Sequence, residues 1–428
     1  MNSKPGLLFL SQTLPYPPDG GVKIRTYHTL RNLAKAFEIR ALCFYRWKPG
    51  RHEPEVEAAI AELGAFADVR AFSIPQEHSR TRLLIDHARS VLSGRVYTVH
   101  SYTSQLFAGA LREELNKGHV DIVHLDSLDL SGYLPIVEEK PTVCVHHDAQ
   151  SLLLRRRADY QANPLLSKYF RHQARLMEKE ERSICPSVDI NVTVSETDRQ
   201  VLERIAPSGR FEVVPNGVDI EFFQPREAHE EGIAFVGGTS WYPNRDALSY
   251  YRSTILPAIR ARKPDVTTTW VGRATAEEIH ENSAIGEGLQ LTGYVEDVRP
   301  YIAAAACYVV PLRIGGGTRI KILDAWAMGK AVVSTSIGCE GLEARDGTNI
   351  LIADTPSEFA ECVARVLEDP VLRGRLGHEA RQTVEDRYSW DAIGEEMNQM
   401  YLDVVRSDES RQPTNRVSGA SDRISAKR

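Results

Sequence analysis

Residues 311–329 have the sequence PLRIGGGTRIKILDAWAMG, and they continue an apolar run that begins at Cys307. The run Cys307–Leu312 is typical of a buried strand, and the three glycines that follow predict a tight loop. After the loop, apolar residues recur with the period of a helix. In an open parallel sheet, ligands bind beyond the carboxyl ends of the strands, where such loops lie. The stretch therefore predicts an α/β fold with a ligand site near residues 315–324.

The residue types in this loop favour an anionic ligand. Free amides of Gly315, Gly316 and Gly317, the hydroxyl of Thr318, and the cations of Arg319 and Lys321 converge near the start of the predicted helix, which suits a diphosphate. Cations at a helix N-terminus oppose the helix dipole unless an anion is bound. The Walker A pattern is absent, which counts against nucleotide hydrolysis.

Asp324 lies on the same predicted helix and has two interpretations. It can form an i,i+3 pair with Lys321, which contributes only a few tenths of a kcal/mol. Alternatively, its carboxylate can accept hydrogen bonds from ribose hydroxyls, as acidic residues do in dinucleotide folds.

Strand and helix patterns alternate along the rest of the chain, which predicts parallel α/β layers. The first half contains strand candidates at Leu7–Ser11, Ile39–Tyr45, Val69–Ile74, Asp121–Leu125, Thr142–His146 and Asp189–Val194. The second half contains strand candidates at Ile233–Gly237, Val266–Gly272, Leu289–Val295, Cys307–Leu312, Ala331–Thr335 and Ile350–Ala353. Three helices are predicted to close the chain, at Pro356–Glu368, Pro370–Arg387 and Trp390–Arg406. Each half has the size of one doubly wound sheet.

A turn-rich segment, Val213–Asp219, separates the two halves and is followed by the charged run Arg226–Glu231. We therefore expect a first domain over residues 1–212 and a second over residues 213–389. Residues 390–406 are predicted to form a final helix. Residues 407–428 lack an apolar period and are predicted to be a disordered tail.

The composition excludes several classes of protein. The 428 residues carry 52 Lys and Arg against 58 Asp and Glu, a net charge of −6, which argues against a nucleic-acid binder. The most apolar stretch, Tyr301–Leu312, is too short to span a bilayer, which takes about 20 residues. The six cysteines form no CxxC pair, so we expect buried thiols in a reducing compartment. These features predict a cytoplasmic protein of two domains.

Two other loops follow predicted strands. Gly20 and Gly21 lie between the first strand and the predicted helix Val22–Phe37, where they can bind an anion or simply form a surface turn. His147, in His146-His147-Asp148, follows the strand Thr142–His146. Its imidazole can donate to a substrate hydroxyl or be satisfied by loop backbone, and its position does not decide between them.

The segment 152–182 is rich in Arg and Lys and is predicted to form a basic helix, which could rest on anionic lipid. Its glutamates dilute the charge, which favours a solvated helix face instead. No HxxxH, HExxH or Asp-x-Asp arrangement occurs, and we expect no metal centre.

With these residues placed, the chain resembles retaining GT-B glycosyltransferases of the family 4 type, in particular enzymes of bacterial polysaccharide and lipopolysaccharide assembly. Matching patches occur in family order at Gly20-Gly21, His147-Asp148, Val194-Ser195-Glu196, Val214–Asp219, Phe235-Val236-Gly237, Tyr242-Pro243-Asn244, Leu291–Val295, Gly315–Gly329 and Ala331–Thr335. The linker Val214–Asp219 and the stretch Gly315–Gly329 are the most specific of these.

The resemblance implies two Rossmann-like domains that face a cleft, with a nucleotide-diphosphate sugar held mainly by the second domain. The acceptor, a glycan, a lipid-linked molecule or a small molecule, would lie against the first, and the helix 390–406 would pack back on it. The resemblance further implies transfer with retention of anomeric configuration, with no metal and no cofactor. His147 would contact the donor sugar, Gly20 and Gly21 would face its diphosphate, and Gly237 and Asn244 would line the donor site.

Two departures from the family pattern bear on the site. The paired acidic residues of the family are reduced to Asp324, because Gly316 occupies the position of the first acid. The usual Arg and Lys after the second domain's first strand are also missing, since residues 238–242 are GTSWY. We assign their role to Arg319 and Lys321 as a hypothesis.

Two alternative functions remain open on the sequence. A non-hydrolysing nucleotide-sugar 2-epimerase shares the GT-B layout, and the lost acid at position 316 also allows a non-catalytic GT-B binding module. A peripheral contact with the inner face of the membrane, through residues 152–182, is a further expectation.

Overall fold

A computed structural model of the chain describes residues 4–46, 53–75, 79–284, 288–315 and 319–411. Its strands form two separate parallel sheets, of seven and six strands. The apolar runs of the strands are buried on both faces, as parallel sheets covered by helices require. The predicted α/β class with two doubly wound sheets is confirmed.

The first sheet has the order β3-β2-β1-β4-β5-β6-β7. Its strands are β1 (Gly6–Ser11), β2 (Glu38–Tyr45), β3 (Asp68–Ser73), β4 (Ile122–Leu125), β5 (Thr142–His146), β6 (Ile190–Thr193) and β7 (Phe211–Val213). Its helices are α1 (Gly21–Leu33), α2 (Glu53–Leu63), α3 (Arg80–Ser93), α4 (Tyr97–Ser101), α5 (Gln105–Asn116), α6 (Leu134–Val137), α7 (Gln150–Asp159), α8 (Pro164–Ile184) and α9 (Glu196–Ile205).

The second sheet has the order β10-β9-β8-β11-β12-β13. Its strands are β8 (Ile233–Val236), β9 (Thr268–Val271), β10 (Leu289–Leu291), β11 (Cys307–Val310), β12 (Val332–Ser334) and β13 (Leu351–Ile352). The helices are α10 (Tyr242–Tyr250), α11 (Leu256–Arg260), α12 (Ala276–Ala284), α13 (Arg299–Ala304), α14 (Ile320–Ala327), α15 (Pro356–Glu368), α16 (Pro370–Arg387) and α17 (Trp390–Arg411).

In each sheet the strand order reverses at the centre, between β1 and β4 in the first and between β8 and β11 in the second. Loops on the two sides of such a reversal diverge and leave a crevice at the carboxyl ends of the strands, where α/β proteins bind ligands. The glycine-rich loop begins at Pro311, directly after β11, and leads into α14. It therefore lies at the reversal of the second sheet.

Most predicted strands lie within one or two residues of the observed ones, and α15 and α16 match their predicted bounds. The strand β7 (Phe211–Val213) was not predicted, because its three residues merge with the turn-rich linker. The last helix, α17, continues to Arg411, so the predicted tail begins too early. Residues 407–411 belong to the helix instead. Residues 412–428 lie outside the described residues.

The basic segment 152–182, predicted as one helix, consists of the two helices α7 and α8. Asn163 ends the connection between them, because its side chain accepts hydrogen bonds from the amides of Leu165 and Leu166 and caps α8. Pro164 at the first helical position favours a helix start there.

The chain passes between the two domains twice, and the two connecting segments are in contact. Val218, in the linker after β7, forms a parallel bridge with Ser389, just before α17. Helix α17 then packs on α1 and β4 of the first domain. Asn32 of α1 donates to the backbone oxygen of Trp390 at 2.9 Å, which fixes the start of α17 on the first domain.

No helix in the described ranges combines the length and the apolar character that a membrane span requires.

We predict that Gly394→Ala destabilises the protein by about 1–3 kcal/mol, the usual cost of overpacking. A Cβ at Gly394 would lie 2.4 Å from Cγ of Asn32, in the contact between α17 and α1. The matched control is Gly374→Ala on α16, where a Cβ meets nothing within 4 Å, and where the change should stabilise by about 0.5–1 kcal/mol. Urea unfolding measures both, and equal effects of the two changes would contradict this packing account.

Candidate active site

The second domain places Lys321 at the strand-order reversal between β8 and β11. Its Nζ donates to Oδ1 of Asn244 at 2.7 Å and lies 4.1 Å from the centre of the Phe235 ring. Gly237, the first residue after β8, is the close neighbour of both polar groups. A Cβ there would lie 2.6 Å from Lys321 Nζ and 2.6 Å from Asn244 Nδ2, so a side chain at this position would displace these two groups.

Arg319 directly precedes the first residue of α14 and is only 3% exposed. Its guanidinium carbon and Lys321 Nζ are each 5.9 Å from the ring centre of Trp241, so the two cations converge on one neighbourhood. Burial lowers the pKa of Arg319 to about 10, although the carboxylates of Glu340 and Asp148 act against this shift. Burial also lowers the pKa of Lys321 well below its usual value, and the charge of Arg319 lowers it further.

Asp324 lies one turn after Lys321 on α14. Burial raises the pKa of Asp324 to about 8, and Lys321 offsets only part of this shift. The carboxyl group is therefore held close to its neutral form in the absence of a ligand. A hydroxyl-bearing ligand at this point would find a group able to accept or donate a hydrogen bond.

Gly315 has a positive φ of 127°, which favours glycine, and a Cβ there would lie 2.8 Å from Arg319 Nη2. The predicted contacts of Gly316, Gly317 and Thr318 lie outside the described residues.

On the opposite wall, His147 follows β5 and lies beside the strand-order reversal of the first sheet. Its Nε2 donates to the backbone oxygen of Asp126 at 2.8 Å, which leaves Nδ1 as an acceptor. The Asp126 carboxylate accepts hydrogen bonds from Ser11 at 2.9 Å and from Thr26 at 2.8 Å. These contacts join the ends of β1, β4 and β5 to α1, and they hold the imidazole in one orientation.

Asp126 is completely surrounded by protein, yet it stays charged. Burial by itself would raise its pKa, but His147 and His124 outweigh that effect and hold the pKa of Asp126 below its usual range. The carboxylate therefore acts as a fixed negative charge next to the imidazole of His147, 3.5 Å from its Nε2.

Asp148 is a second acid at this point, and it faces the other domain. Its Oδ1 is buried and has no hydrogen-bond partner among the described residues. Burial and the neighbouring carboxylate of Asp198 raise the pKa of Asp148 to about 7, and the charges of His147 and Arg319 act in the opposite direction. Arg319 belongs to the second domain, so the two walls influence each other electrostatically across the cleft.

Gly20 and Gly21 start α1 on the first wall and lie opposite α14. A Cβ on Gly21 would come within 3.8 Å of Cδ1 of Ile320, the first residue of α14, and a Cβ on Gly20 would meet nothing within 4 Å. The first residues of α1 and α14 therefore lie close together across the cleft. Asp19, directly before Gly20, forms an ion pair with Arg273 of the second domain at 3.3 Å, and this is a second contact between the two domains near α1.

Arg156 of α7 binds the second domain from the first. It donates to the backbone oxygen of Gly315 at 2.7 Å and forms a two-pronged ion pair with Glu340, at 2.6 and 2.8 Å. This pair was not predicted, because the two residues lie 184 positions apart in the sequence. The repeated arginines of α7 pointed to a charged surface, and nothing in the sequence pattern pointed to a partner.

The first domain also contains a cavity of about 440 Å³ near the carboxyl ends of β1, β2 and β3. It is lined by Gln12, Arg46, Ile74, Leu83, Tyr97, Thr98, Ser101, Tyr102 and Asp129. Asp129 is 8% exposed, and burial raises its pKa, while Thr98, Ser127, Gln150 and His147 act against this shift. The influence of His147 shows that the Asp129 end of the cavity lies toward the candidate active site.

Within the described residues, no three or more His, Cys, Asp or Glu side chains are grouped so that they could hold a metal ion.

Of the predicted site residues, Gly237, Asn244 and Lys321 are in mutual contact, and Arg319, Asp324 and Gly315 adjoin them on the second domain. Gly20, Gly21 and His147 lie on the first domain, on the other side of the cleft. The roles assigned to these residues stay predictions. Sequence reasoning did not assign Asp126, Asp129 or Glu340 to the site, and it treated Arg156 only as part of the basic segment 152–182.

Two family models match the chain, one on each domain. A model described as Glycosyltransferase Family 4 matches residues 19–222, and a model described as Glycosyl transferases group 1 matches residues 230–369.

Two curated bacterial proteins are among the relatives. A GDP-mannose-dependent monoacylated alpha-(1-6)-phosphatidylinositol monomannoside mannosyltransferase of Corynebacterium glutamicum is 25% identical over 240 residues, which is 50% of this chain and 62% of the relative. A phosphatidyl-myo-inositol mannosyltransferase of Mycolicibacterium smegmatis is 28% identical over 201 residues, 44% of this chain and 50% of the relative. The matches thus span half to three-fifths of the length of these relatives.

Among solved structures, a sucrose-phosphate synthase from Thermosynechococcus elongatus has a similar fold. The comparison gives a TM-score of 0.70 at 17% identity and covers 94% of this chain and 100% of that one. This agreement extends over both sheets and therefore includes their arrangement around the cleft.

We predict that Asp324→Asn raises the melting temperature of the ligand-free protein relative to wild type, and that the gain grows with pH. An unfolded Asp loses its proton near pH 4, whereas Asp324 in the folded chain keeps its proton until about pH 8. The folded state therefore binds more protons between these values, so wild-type stability falls as the pH rises through this window. An asparagine cannot lose this proton, and its advantage should reach a plateau above pH 8.

Scanning calorimetry between pH 5 and pH 9, without nucleotide, measures this effect. Asp265→Asn, an exposed position of the same domain, serves as the control and should show no growing gain. A pH-independent difference for Asp324→Asn would contradict the raised pKa.

Proposed function

The chain belongs to the glycosyltransferases of the family 4 type, and on that premise we propose that it transfers a sugar from a nucleotide-diphosphate donor to an acceptor hydroxyl. The observation that carries the proposal is the convergence of Arg319 and Lys321 at the N-terminus of α14, at the strand-order reversal of the second sheet. A strand-order reversal supplies the crevice, and the helix end and two cations supply the charge that a diphosphate needs.

The reaction breaks the bond between the anomeric carbon of the sugar and the diphosphate oxygen. Negative charge then develops on the departing diphosphate, and the buried cations stabilise it without having to reorganise. The amides of Gly20 and Gly21 on the opposite wall would approach the same diphosphate when it is bound. Burial and Arg319 lower the pKa of Lys321, and an anion bound at this point would act in the opposite direction by favouring the protonated amine.

On the first wall, His147 would meet the sugar. Its Nε2–H is committed to the backbone oxygen of Asp126, so Nδ1 is the nitrogen that can accept from a sugar hydroxyl. We further propose that transfer retains the anomeric configuration and needs no metal. The acceptor oxygen bonds to the anomeric carbon from the face that the diphosphate leaves, and a departing phosphate oxygen takes the acceptor proton.

The acceptor is proposed to lie in the first domain, in the 440 Å³ cavity next to Asp129. The two relatives are named for transfer of mannose to phosphatidylinositol-based acceptors. A glycan or lipid-linked acceptor therefore fits both the relatives and the polar lining of the cavity. The cytoplasmic location predicted from the sequence stays part of this proposal.

The two alternative functions, a nucleotide-sugar 2-epimerase and a non-catalytic GT-B binding module, are not favoured. Both matched family models describe glycosyltransferases, which supports transfer over 2-epimerisation. The buried cations of α14 argue against a module that has lost ligand binding, because such charges would be costly to keep buried without an anion. Incubation with a nucleotide-sugar alone distinguishes the epimerase from a transferase, since only an epimerase forms the epimer without an acceptor.

We predict that Arg319→Gln and Lys321→Gln each lower donor turnover by about 10²–10³-fold, the usual effect of removing one group that stabilises a developing anion. Release of nucleoside diphosphate from UDP-, GDP- and CDP-sugars measures turnover, and calorimetry with UDP, GDP and CDP measures binding. Lys263→Gln is the control, because Lys263 pairs with Glu368 at the surface of the same domain. Unchanged affinity and turnover in both site variants would refute the proposed donor site.

We predict that Asp129→Asn raises the KM for an acceptor by roughly tenfold, the effect of losing one hydrogen bond to a charged group, and leaves the KM for the donor unchanged. Octyl α-D-mannopyranoside is the acceptor probe in this assay. The control is Asp121→Asn, since Asp121 accepts from the amide of Gly6 at 2.7 Å, at the amino end of the same sheet. An equal rise in the KM for the donor would contradict an acceptor role for Asp129.

A further inference from the structure

Helix α3 (Arg80–Ser93) buries polar residues and exposes apolar ones, which is the reverse of the usual arrangement. Its buried residues are the polar Asp86 and Ser90. Its large apolar residues point to solvent, and the exposed fractions of Leu84, Val91 and Leu92 are 69%, 61% and 86%. A helix on a globular protein normally turns its apolar stripe to the core, so this arrangement requires an explanation.

Polar contacts account for how α3 is attached to the domain. Arg82 pairs with Asp86 at 2.9 Å and donates to the backbone oxygen of Thr103 at 3.2 Å. Ser90 donates to the backbone oxygen of Arg95 at 2.8 Å. His87 stacks on Tyr97 of α4 at 3.9 Å between ring centres. The inward face of α3 is therefore satisfied, and the outward apolar face has no role in holding the helix in place.

The first turn of α8, which begins close to α3, carries two further exposed leucines. The hydroxyl of Tyr169 on α8 lies 2.6 Å from Nδ1 of His87, so the start of α8 is beside α3. One turn earlier, Leu165 and Leu166 are exposed, Leu165 by 78%. We call the group of exposed aliphatic residues Leu84, Ile85, Val91, Leu92, Leu165 and Leu166 the α3 surface.

Cations accompany the α3 surface. Arg80 and Arg89 lie on α3, and Lys168 lies on the first turns of α8, all three with exposed side chains. Arg89 also contacts Asp86 at 3.4 Å, and its side chain stays 53% exposed. Several cations of the segment 152–182 are engaged more closely within the protein. Arg155 pairs with Glu178, and Arg156 pairs with Glu340.

We propose that the α3 surface docks on a lipid bilayer that carries anionic headgroups. Exposed aliphatic side chains accompanied by Arg and Lys, on a helix whose other face is polar, are the composition that lies in a membrane interface. The cations also argue against a second copy of the chain. A two-fold interface brings the same surface of both copies together, so it would gather the positive charges of both copies in one interface without adding negative ones. Anionic headgroups would neutralise them instead.

The position of α3 connects this surface to the acceptor cavity. Leu83, next to Leu84 on the same helix, lines the cavity that contains Asp129. A lipid-linked acceptor could therefore keep its chain in the bilayer under α3 while its polar head enters the cavity. This step rests on the proposed function, and it narrows the acceptor to a lipid-linked molecule.

Vesicle co-sedimentation tests the docking. Wild-type protein is mixed with vesicles of phosphatidylcholine alone, or with 30 mol% phosphatidylglycerol added, at about 0.1 M salt, where surface charges still act over roughly 10 Å. We expect binding to the anionic vesicles and weaker binding to the neutral ones. The triple variant Leu84→Gln/Val91→Gln/Leu92→Gln should bind the anionic vesicles about tenfold or more weakly, because it removes the inserted apolar area.

Val371→Gln is the matched control, since Val371 is 81% exposed but lies on α16 of the second domain. It should bind vesicles like wild type. Circular dichroism and the melting temperature confirm that the triple variant is folded, as expected for three exposed positions.

Equal vesicle binding by wild type and the triple variant would overturn the proposal, and so would no binding by wild type. Light scattering provides a further outcome, because a wild-type dimer that the triple variant breaks would assign the surface to a second copy. None of these measurements needs a donor or turnover. Wild-type protein that releases nucleoside diphosphate but does not bind vesicles would therefore refute only the docking. Wild-type protein that binds vesicles but releases no nucleoside diphosphate would refute only the proposed transfer.

Discussion

Two cations buried at the carboxyl edge of the second sheet are the constraint on which the proposed chemistry depends. Arg319 and Lys321 lie at the start of one helix, where the helix dipole, burial and their mutual repulsion all disfavour their charges. Such a pair can stay charged in the folded protein only if other groups offset the free-energy cost of burying its charges. In the free chain Asn244 binds Lys321 and Glu340 faces Arg319, and a bound diphosphate would complete the compensation.

The rest of the molecule brings a second wall to these cations. Arg25 of α1 donates to the backbone oxygen of Pro215 and to Asn216 Oδ1, both at 3.0 Å, so the linker is anchored on the first domain. Trp390 covers Gly217 of the same linker, where a Cβ would lie 2.7 Å from its ring. Together with the ion pair of Arg156 and Glu340, these contacts set α1 opposite α14. The site is therefore assembled by contacts on both sides of the linker.

The sequence was sufficient for the layers and for the loop before α14, because strand periods, glycine loops and helix starts are short-range signals. Gly237 and Asn244 were predicted from the family resemblance, and the structure places both beside Lys321. The cross-cleft pair of Arg156 and Glu340 left no such signal, because its partners are brought together only by tertiary folding.

Polarity patterns along the sequence did not show how individual charges are used. The cationic segment 152–182 is split at Asn163, and four of its cations, Arg155, Arg156, Arg171 and Arg182, form ion pairs. Helix α3 shows an apolar stripe that sequence analysis assigns to the core by default. Only the structure shows that Asp86 and Ser90 take the buried side.

The most direct measurement is a crystal structure with whichever of UDP, GDP or CDP the protein binds. The account predicts diphosphate oxygens within hydrogen-bond distance, roughly 2.7–3.2 Å, of Lys321 Nζ and the Arg319 guanidinium, with the amides of Gly20 and Gly21 facing them. A diphosphate held elsewhere, with Lys321 still bound only to Asn244, would contradict it.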